Sequence, residues 1–165
     1  MKKRLIVKQD GYKECGVACL LSIIKYYNGN ISVNRLLELT HTDKNGTSFY
    51  NLKEAASKLG LEALGFKINE EEKRLKLKKI ILPSICQIVD NNYEHFVVLY
   101  QVKINKVIIM DPARGFRNID IEDFLSSWTG YVMCFSKTKQ LPYIKEEEYL
   151  NKIIIESLLK NRSIV

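Results

Sequence analysis

The sequence predicts an α+β domain in which N-terminal helices pack on one antiparallel sheet. Three observations carry this. At 165 residues, 46% hydrophobic and 27% charged, the chain has the composition of a globular protein and the length for one domain with a real core. Apolar residues recur at helical spacing through its first third. Short runs rich in Val, Ile, Tyr and Phe then follow, so helices lead and strands come after them.

The first helix is expected over residues 15–27, where Val17, Leu20, Leu21, Ile24 and Tyr27 share a face and "NGN" (Asn28 to Asn30) stops the run. "SVNRLLELT" reads as a second helix with Ser32 as its cap. "HTDKNGTS" is a loop. "SFYNLKEAASKLG" is a third helix, capped by Ser48 and ended by Gly60, with Leu52, Ala55, Ala56 and Leu59 on one side. Strands are expected at "LEALGFKI", "LPSICQIV", "HFVVLYQV", "KVIIMDP" and "GYVMCFS". A short helix, "DIEDFLSSW", capped by Asp120, separates the last two. In the tail, Ile144, Leu150, Ile153, Ile154, Leu158 and Leu159 form an apolar stripe on a charged helix. That helix either packs back on the domain or leads onward, for instance toward a membrane region.

The net charge is +7, concentrated in "MKKR" and in "KRLKLKK" (Lys73 to Lys79). A solvated face is the plain reading; an anionic membrane surface, an acidic peptide or nucleic acid are the sharper ones. No helix-turn-helix, zinc-finger or aromatic RNA-binding pattern accompanies the charge, so nucleic acid is not expected as a partner. The longest apolar stretches, such as "KIILPSICQIV", are broken by Pro83 and fall short of the roughly 20 residues a membrane helix needs. The basic N-terminus lacks the apolar core of a signal peptide. A cytoplasmic location follows as an expectation, with Cys15, Cys19, Cys86 and Cys134 as free thiols.

Chemistry centres on few residues. Of the two histidines, His41 lies in a polar loop and reads as an exposed structural residue. His95 opens the apolar strand "HFVVLYQV", and the next strand ends in Asp111 before Pro112. A hairpin joining the two would bring these ends together. With a two-residue loop at Ile104 and Asn105, however, Asp111 falls opposite Val98 and His95 points to the other face. A His95–Asp111 pair therefore requires an odd loop, a bulge, or an aspartate that leaves the strand early. Cys15 stands at the N-terminus of the first helix, where unpaired amides favour a thiolate, and Gly16 would let a substrate backbone approach. Cys15, His95 and Asp111 form a sufficient set for acyl transfer: a nucleophile, a base, and a carboxylate that orients the base. The Cys15 amide is one oxyanion donor and Gln9, six residues upstream, is a candidate for the second. A zinc site from Cys15, Cys19, His41 and His95 is the rival, but Cys-x3-Cys in one apolar helix lacks a second closely spaced ligand pair. Cys19, Cys86 and Cys134 sit in apolar runs, as core thiols do.

The segments "QDGYKECGVACL", "HFVVL" and "DPARG", together with "GTSFYNLKEAASKLGLEA" and "LPSICQI" in the same order, resemble the C39 peptidases over about residues 5 to 137. These are the N-terminal cysteine protease domains of bacteriocin- and peptide-exporting ABC transporters. The resemblance implies a papain-like fold, with Cys15 as nucleophile, His95 as base, Asp111 as orienting carboxylate and Gln9 at the oxyanion, and needs no metal or organic cofactor. Glu14 stands where aspartate is more usual. It implies cleavage of a leader from a bacteriocin- or lantibiotic-like precursor after a Gly-Gly, Gly-Ala or Gly-Ser motif. The partners would be that precursor, with its helical leader, and the transmembrane and ATPase domains of a full transporter at the inner face of the bacterial membrane. Residues 1–140 would be the peptidase domain and 141–165 a linker helix. No Walker motif occurs in this chain. Relatives that bind a leader without cutting it form the alternative class, and a structural zinc or redox protein is a third.

Overall fold

The computed structural model describes residues 1–162. Six α-helices and six strands run in the order α1 (Cys15–Tyr26), α2 (Val33–Leu39), α3 (Phe49–Leu59), β1 (Leu61–Lys67), α4 (Lys73–Leu77), β2 (Ser84–Asp90), β3 (Tyr93–Val102), β4 (Lys106–Asp111), β5 (Gly115–Asp120), α5 (Ile121–Ser127), β6 (Trp128–Lys137) and α6 (Glu146–Arg162). The sheet is antiparallel throughout, ordered β1-β6-β2-β3-β4-β5.

The expected helices form for the expected reasons. Ser32 Oγ accepts the Arg35 amide and Ser48 Oγ accepts the Asn51 amide, so α2 and α3 each have a side-chain cap. Gly60 ends α3 in the left-handed region at φ 103°. Asn28, at φ 64°, turns the chain after α1. Residues 15–24 of α1 are all buried, because this helix is enclosed on nearly every side rather than resting on one stripe. Its Leu20, Leu21 and Ile24 join Leu52 and Ala56 of α3, Leu36 of α2 and the inward residues Ile85, Val98, Met110 and Met133 of the sheet in one core.

Three features differ from expectation. The sheet has a sixth strand, β5, in "GFRNID"; its Arg117, Asn118 and Asp120 hide the apolar alternation, as befits an edge strand paired only with β4. The opposite face of the sheet is not open. The α5 residues Ile121, Phe124 and Leu125, with Leu77 of α4, cover Cys86, Val97, Leu99 and Val107 in a second core. Asp120 precedes α5 as expected but makes no capping bond; its carboxylate faces Lys106 across the β4–β5 ladder at 3.5 Å. The basic run Lys73–Lys79 is partly this α4, whose Lys73 ammonium is buried against the Trp128 carbonyl.

The β3–β4 hairpin resolves the register question. Its loop is the two-residue Ile104–Asn105 turn, closed by the Lys103 amide on the Lys106 carbonyl at 2.7 Å. Val102 pairs with Val107 and Gln101 with Ile108, but Leu99 pairs with Ile109 and Val98 with Met110. Tyr100 is therefore an extra residue, a β-bulge that shifts the register by one. Continued, the shifted register puts Asp111 beside Val97, on the same side as His95. The Tyr100 hydroxyl meets Ser22 Oγ at 2.6 Å, and the Ser22 carbonyl lies 3.2 Å from it, so the bulge is anchored to α1.

At the other end, Leu141 is 3% exposed and part of the first core. The Asn30 amide donates to the Pro142 carbonyl and the Ile144 amide to the Asn30 carbonyl. Beyond this tie, the described apolar side chains of α6 are solvated: Leu150, Ile153, Ile154, Leu158 and Leu159 are all exposed and do not pack back on the domain. No described helix is long and apolar enough to cross a membrane.

Candidate active site

Four segments converge at one end of the sheet. The short 3-10 turn Tyr12–Glu14 leads directly into α1, so Cys15 is the first residue of that helix, a buried residue 8% exposed. Helix N-terminal amides face this position and favour negative charge there. His95 lies near the start of β3, opposite Ile88 of β2. Asp111 is the last residue of β4 and has no solvent-exposed surface.

His95 Nε2 and Asp111 Oδ1 are 2.8 Å apart. With Nε2 committed to the carboxylate, Nδ1 is the ring nitrogen left to serve the Cys15 thiol, whose proximity also raises the His95 pKa. Burial opposes charge on the imidazole, but the bonds to Asp111 and Cys15 outweigh it and raise its pKa to about 9. Burial also opposes charge on Asp111. The His95 bond, the Ala113 amide at 2.9 Å, the imidazolium charge and Arg114 together hold its carboxyl well below the usual range. Each partner thus favours the charged form of the other.

Gln9 comes to the same end of the sheet through its backbone, whose amide donates to the Pro112 carbonyl at 3.0 Å. Its Oε1 is buried with no partner among the described residues. Such atoms are uncommon in folded proteins, and the fold leaves this side-chain oxygen without a donor. Gly16 has a different role from the expected one. It faces protein, not substrate: a Cβ there would stand 2.7 Å from Thr47 Cγ2 and 3.2 Å from Phe96 Cδ2. A cleft of about 530 Å³ opens beside His95, lined among others by His41, Asp43, Thr47, Phe49, Gln87 and Glu94.

Cys19 and Cys86 are fully buried, and burial is the first cause that raises both their pKa values. Among the described residues no group of three His, Cys, Asp or Glu is placed to hold a metal ion. His41 is exposed, at φ 49°, on the cleft wall.

Residue patterning did not disclose Arg114 and Arg117. Both guanidinium groups reach Asp111 Oδ2, at 3.2 and 3.3 Å, and Arg114 also bonds Asp90 Oδ2 at 2.8 Å. Arg114 lies inside "DPARG", but nothing in a sequence pattern turns a charged turn residue inward.

The model of the Peptidase C39 family matches residues 3–140. The lactococcin-G-processing and transport ATP-binding protein LagD of Lactococcus lactis subsp. lactis is 42% identical over 138 residues, covering 83% of this chain and 19% of that protein. The sublancin-168-processing and transport ATP-binding protein SunT of Bacillus subtilis is 29% identical over 165 residues, 99% of this chain and 23% of its own. The chain therefore spans about a fifth of the length of these curated relatives. Among solved structures, the peptidase domain of Streptococcus ComA matches with a TM-score of 0.73 and 31% identity, over 81% of this chain and 98% of that one. A double glycine motif protease from an AMS/PCAT transporter, in complex with the leader peptide, matches with a TM-score of 0.73 and 30% identity, over 81% and 91%. With its α+β, papain-like architecture and these matches, the chain belongs to the Peptidase C39 family of cysteine-type peptidases.

Proposed function

We propose that the chain is a cysteine endopeptidase that removes the leader from a bacteriocin- or lantibiotic-like precursor by cutting after a Gly-Gly, Gly-Ala or Gly-Ser motif. The observation that carries this reading is the His95–Asp111 pair at 2.8 Å, its aspartate fully buried and its imidazole close enough to Cys15 to feel the thiol's charge. It draws further support from a solved relative that holds a leader peptide, and from relatives that process and transport bacteriocins.

In this reading Cys15 Sγ attacks the carbonyl carbon of the second small residue. The C–N bond breaks after His95 gives its proton to the departing amine, leaving an acyl-enzyme on Sγ. Neutral His95 then takes a proton from water, hydroxide adds to the thioester, and the thiol leaves with the proton returned. Asp111 keeps the ring in one orientation throughout. The Cys15 amide and the Gln9 side-chain amide hold the oxyanion. Two small residues before the cut fit a narrow channel, and a helical leader with apolar residues at helical spacing fits a shallow groove. The basic excess complements acidic leaders, which predicts a KM that rises with salt.

The wider setting is proposed on the same relatives. Residues 141–165 join this domain to transmembrane and ATPase domains, and residues 1–140 work at the inner face of the bacterial membrane. The deciding experiment incubates the chain and its Cys15→Ala variant with a panel of double-glycine leader peptides and reads products by mass spectrometry. Cleavage after the second small residue, lost in the variant while leader binding persists, is expected. Intact peptide that still binds would replace the peptidase reading with a leader-recruiting module.

A further inference from the structure

We infer that Arg114 and Arg117 are positioning residues for the proposed catalytic pair, fixing Asp111 through its second oxygen and offsetting part of its charge; this rests on the Cys15–His95–Asp111 reading above. The Asp111 carboxylate is fully buried and every direction of hydrogen bonding is occupied. Oδ1 takes His95 Nε2 at 2.8 Å and the Ala113 amide at 2.9 Å. Oδ2 takes Arg114 Nη1 at 3.2 Å and Arg117 Nη1 at 3.3 Å. A carboxylate offers about four lone-pair sites, so this one is saturated.

The two arginines come from different places. Arg114 lies in the β4–β5 turn, where its amide donates to the Asp111 carbonyl at 3.0 Å, and Asp90 at the end of β2 holds its guanidinium from behind. Arg117 stands on β5 opposite Ile109. The edge strand β5 thus carries one arm of the clamp. The other titratable and charged groups around this end of the sheet include Cys15 and Cys19 of α1, Glu94 next to His95 on β3, His41 and Asp43 on the cleft wall, Asp90 of β2 and Lys8 near Gly115.

Two positive charges on Oδ2 have a chemical consequence. The proposed cycle needs His95 protonated when the amine leaves and neutral when water attacks. An unshared carboxylate at 2.8 Å would hold the imidazolium proton more tightly and slow the second step. The arginines share the carboxylate's charge while leaving its geometry intact, so His95 can cycle. Removing one of them leaves the other and the Ala113 amide to hold Asp111 in place. The charge effect then dominates, and His95 titrates at higher pH.

The test uses Arg117→Gln, Arg114→Gln, Arg117→Lys and Asp111→Asn in the full chain. Two readouts are followed: kcat and KM on a double-glycine leader peptide, and the His95 ring titration by NMR, which is tractable with only two histidines present. Each Gln variant is expected to lose about tenfold in kcat, the scale of one charge-assisted hydrogen bond, with KM changed less than twofold. Its His95 titration and the alkaline limb of kcat are expected to move up in pH. Arg117→Lys restores the titration, and Arg117→Gln made on top of Asp111→Asn no longer shifts it. The NMR readout needs no activity, so a variant that is merely slow still answers. An unmoved or lowered His95 titration in both Gln variants, or the same upward shift without Asp111, overturns the inference. If Asp111→Asn itself retains full kcat, the parent triad reading is what fails; if it is inactive while the arginine variants match wild type, only the clamp fails.

Discussion

At the scale of single residues, charge and burial make quantitative demands on the site. His95 is raised above its ordinary 6.5 to about 9, so what its partners add to stability is complete below 6.5 and is lost as pH climbs through about 9. Asp111 is depressed below its ordinary 3.8. Its contribution is present above 3.8 and fades only on acidification toward its lower folded value. The pair is therefore worth most between those limits. In catalysis the imidazolium supplies the leaving-group proton, so kcat/KM is expected to fall as pH rises through about 9. In Asp111→Asn that limb should move downward, because the ring has lost the anion that holds its proton; a pH–rate profile on a leader peptide reads both. Gln9→Ala should cost about 10²–10³ in kcat if its amide is an oxyanion donor. Single-turnover kinetics check it, and a loss under about threefold would remove Gln9 from the mechanism.

The elements explain how residues far apart in sequence reach one another. Without the Tyr100 bulge, the Ile104–Asn105 turn would send His95 and Asp111 to opposite faces. The alternation of "HFVVLYQV" and "KVIIMDP" made both strands legible and made the conflict legible too. It did not say which of three remedies the chain uses, because a bulge is fixed by packing, here of Tyr100 against Ser22 on α1. The same limit applied to β5, whose polar edge residues carry no period, and to the arginine clamp, which depends on where β5 runs. Cys15, by contrast, was legible because helix starts are written locally, in the break before Val17. Gly16 was misread for the opposite reason: its neighbour Thr47 is distant in sequence and close in space. Gly16→Ala is therefore expected to destabilise the chain by about 1–3 kcal/mol through overpacking, measured by urea unfolding. Thr47→Ser removes Cγ2 and keeps the hydroxyl that donates to the Thr40 carbonyl. In that background the cost of Gly16→Ala should shrink, a coupling that a purely local effect on helix propensity would not produce.

For the molecule as a whole, the C-terminal tail decides where the folded unit stops. The apolar stripe of the tail was readable, and so was its ambiguity, since helical spacing is the same whether a helix packs on its own domain or on another. The structure separates two parts of this tail. Leu141 closes the first core over Gly29 and Gly60, and the chain from Pro142 to Ile144 is tied to Asn30 by backbone bonds. Residues 150–160 of α6 lie exposed, and five apolar side chains of its stripe are turned to water. Shortening the chain after Lys145 should therefore leave the melting temperature and kcat/KM within about the spread of ordinary surface changes. It should also reduce self-association, which light scattering would read, because it removes an exposed apolar stripe. Shortening after Gln140 should behave differently. It strips a fully packed leucine from the core, a loss on the order of 2–5 kcal/mol, and frees the Asn30 backbone at the turn that leads from α1 into α2. Equal melting temperatures for the two truncations would mean that residues 141–144 add nothing to the fold. A drop already at Lys145 would mean that α6 contributes to the stability of this domain.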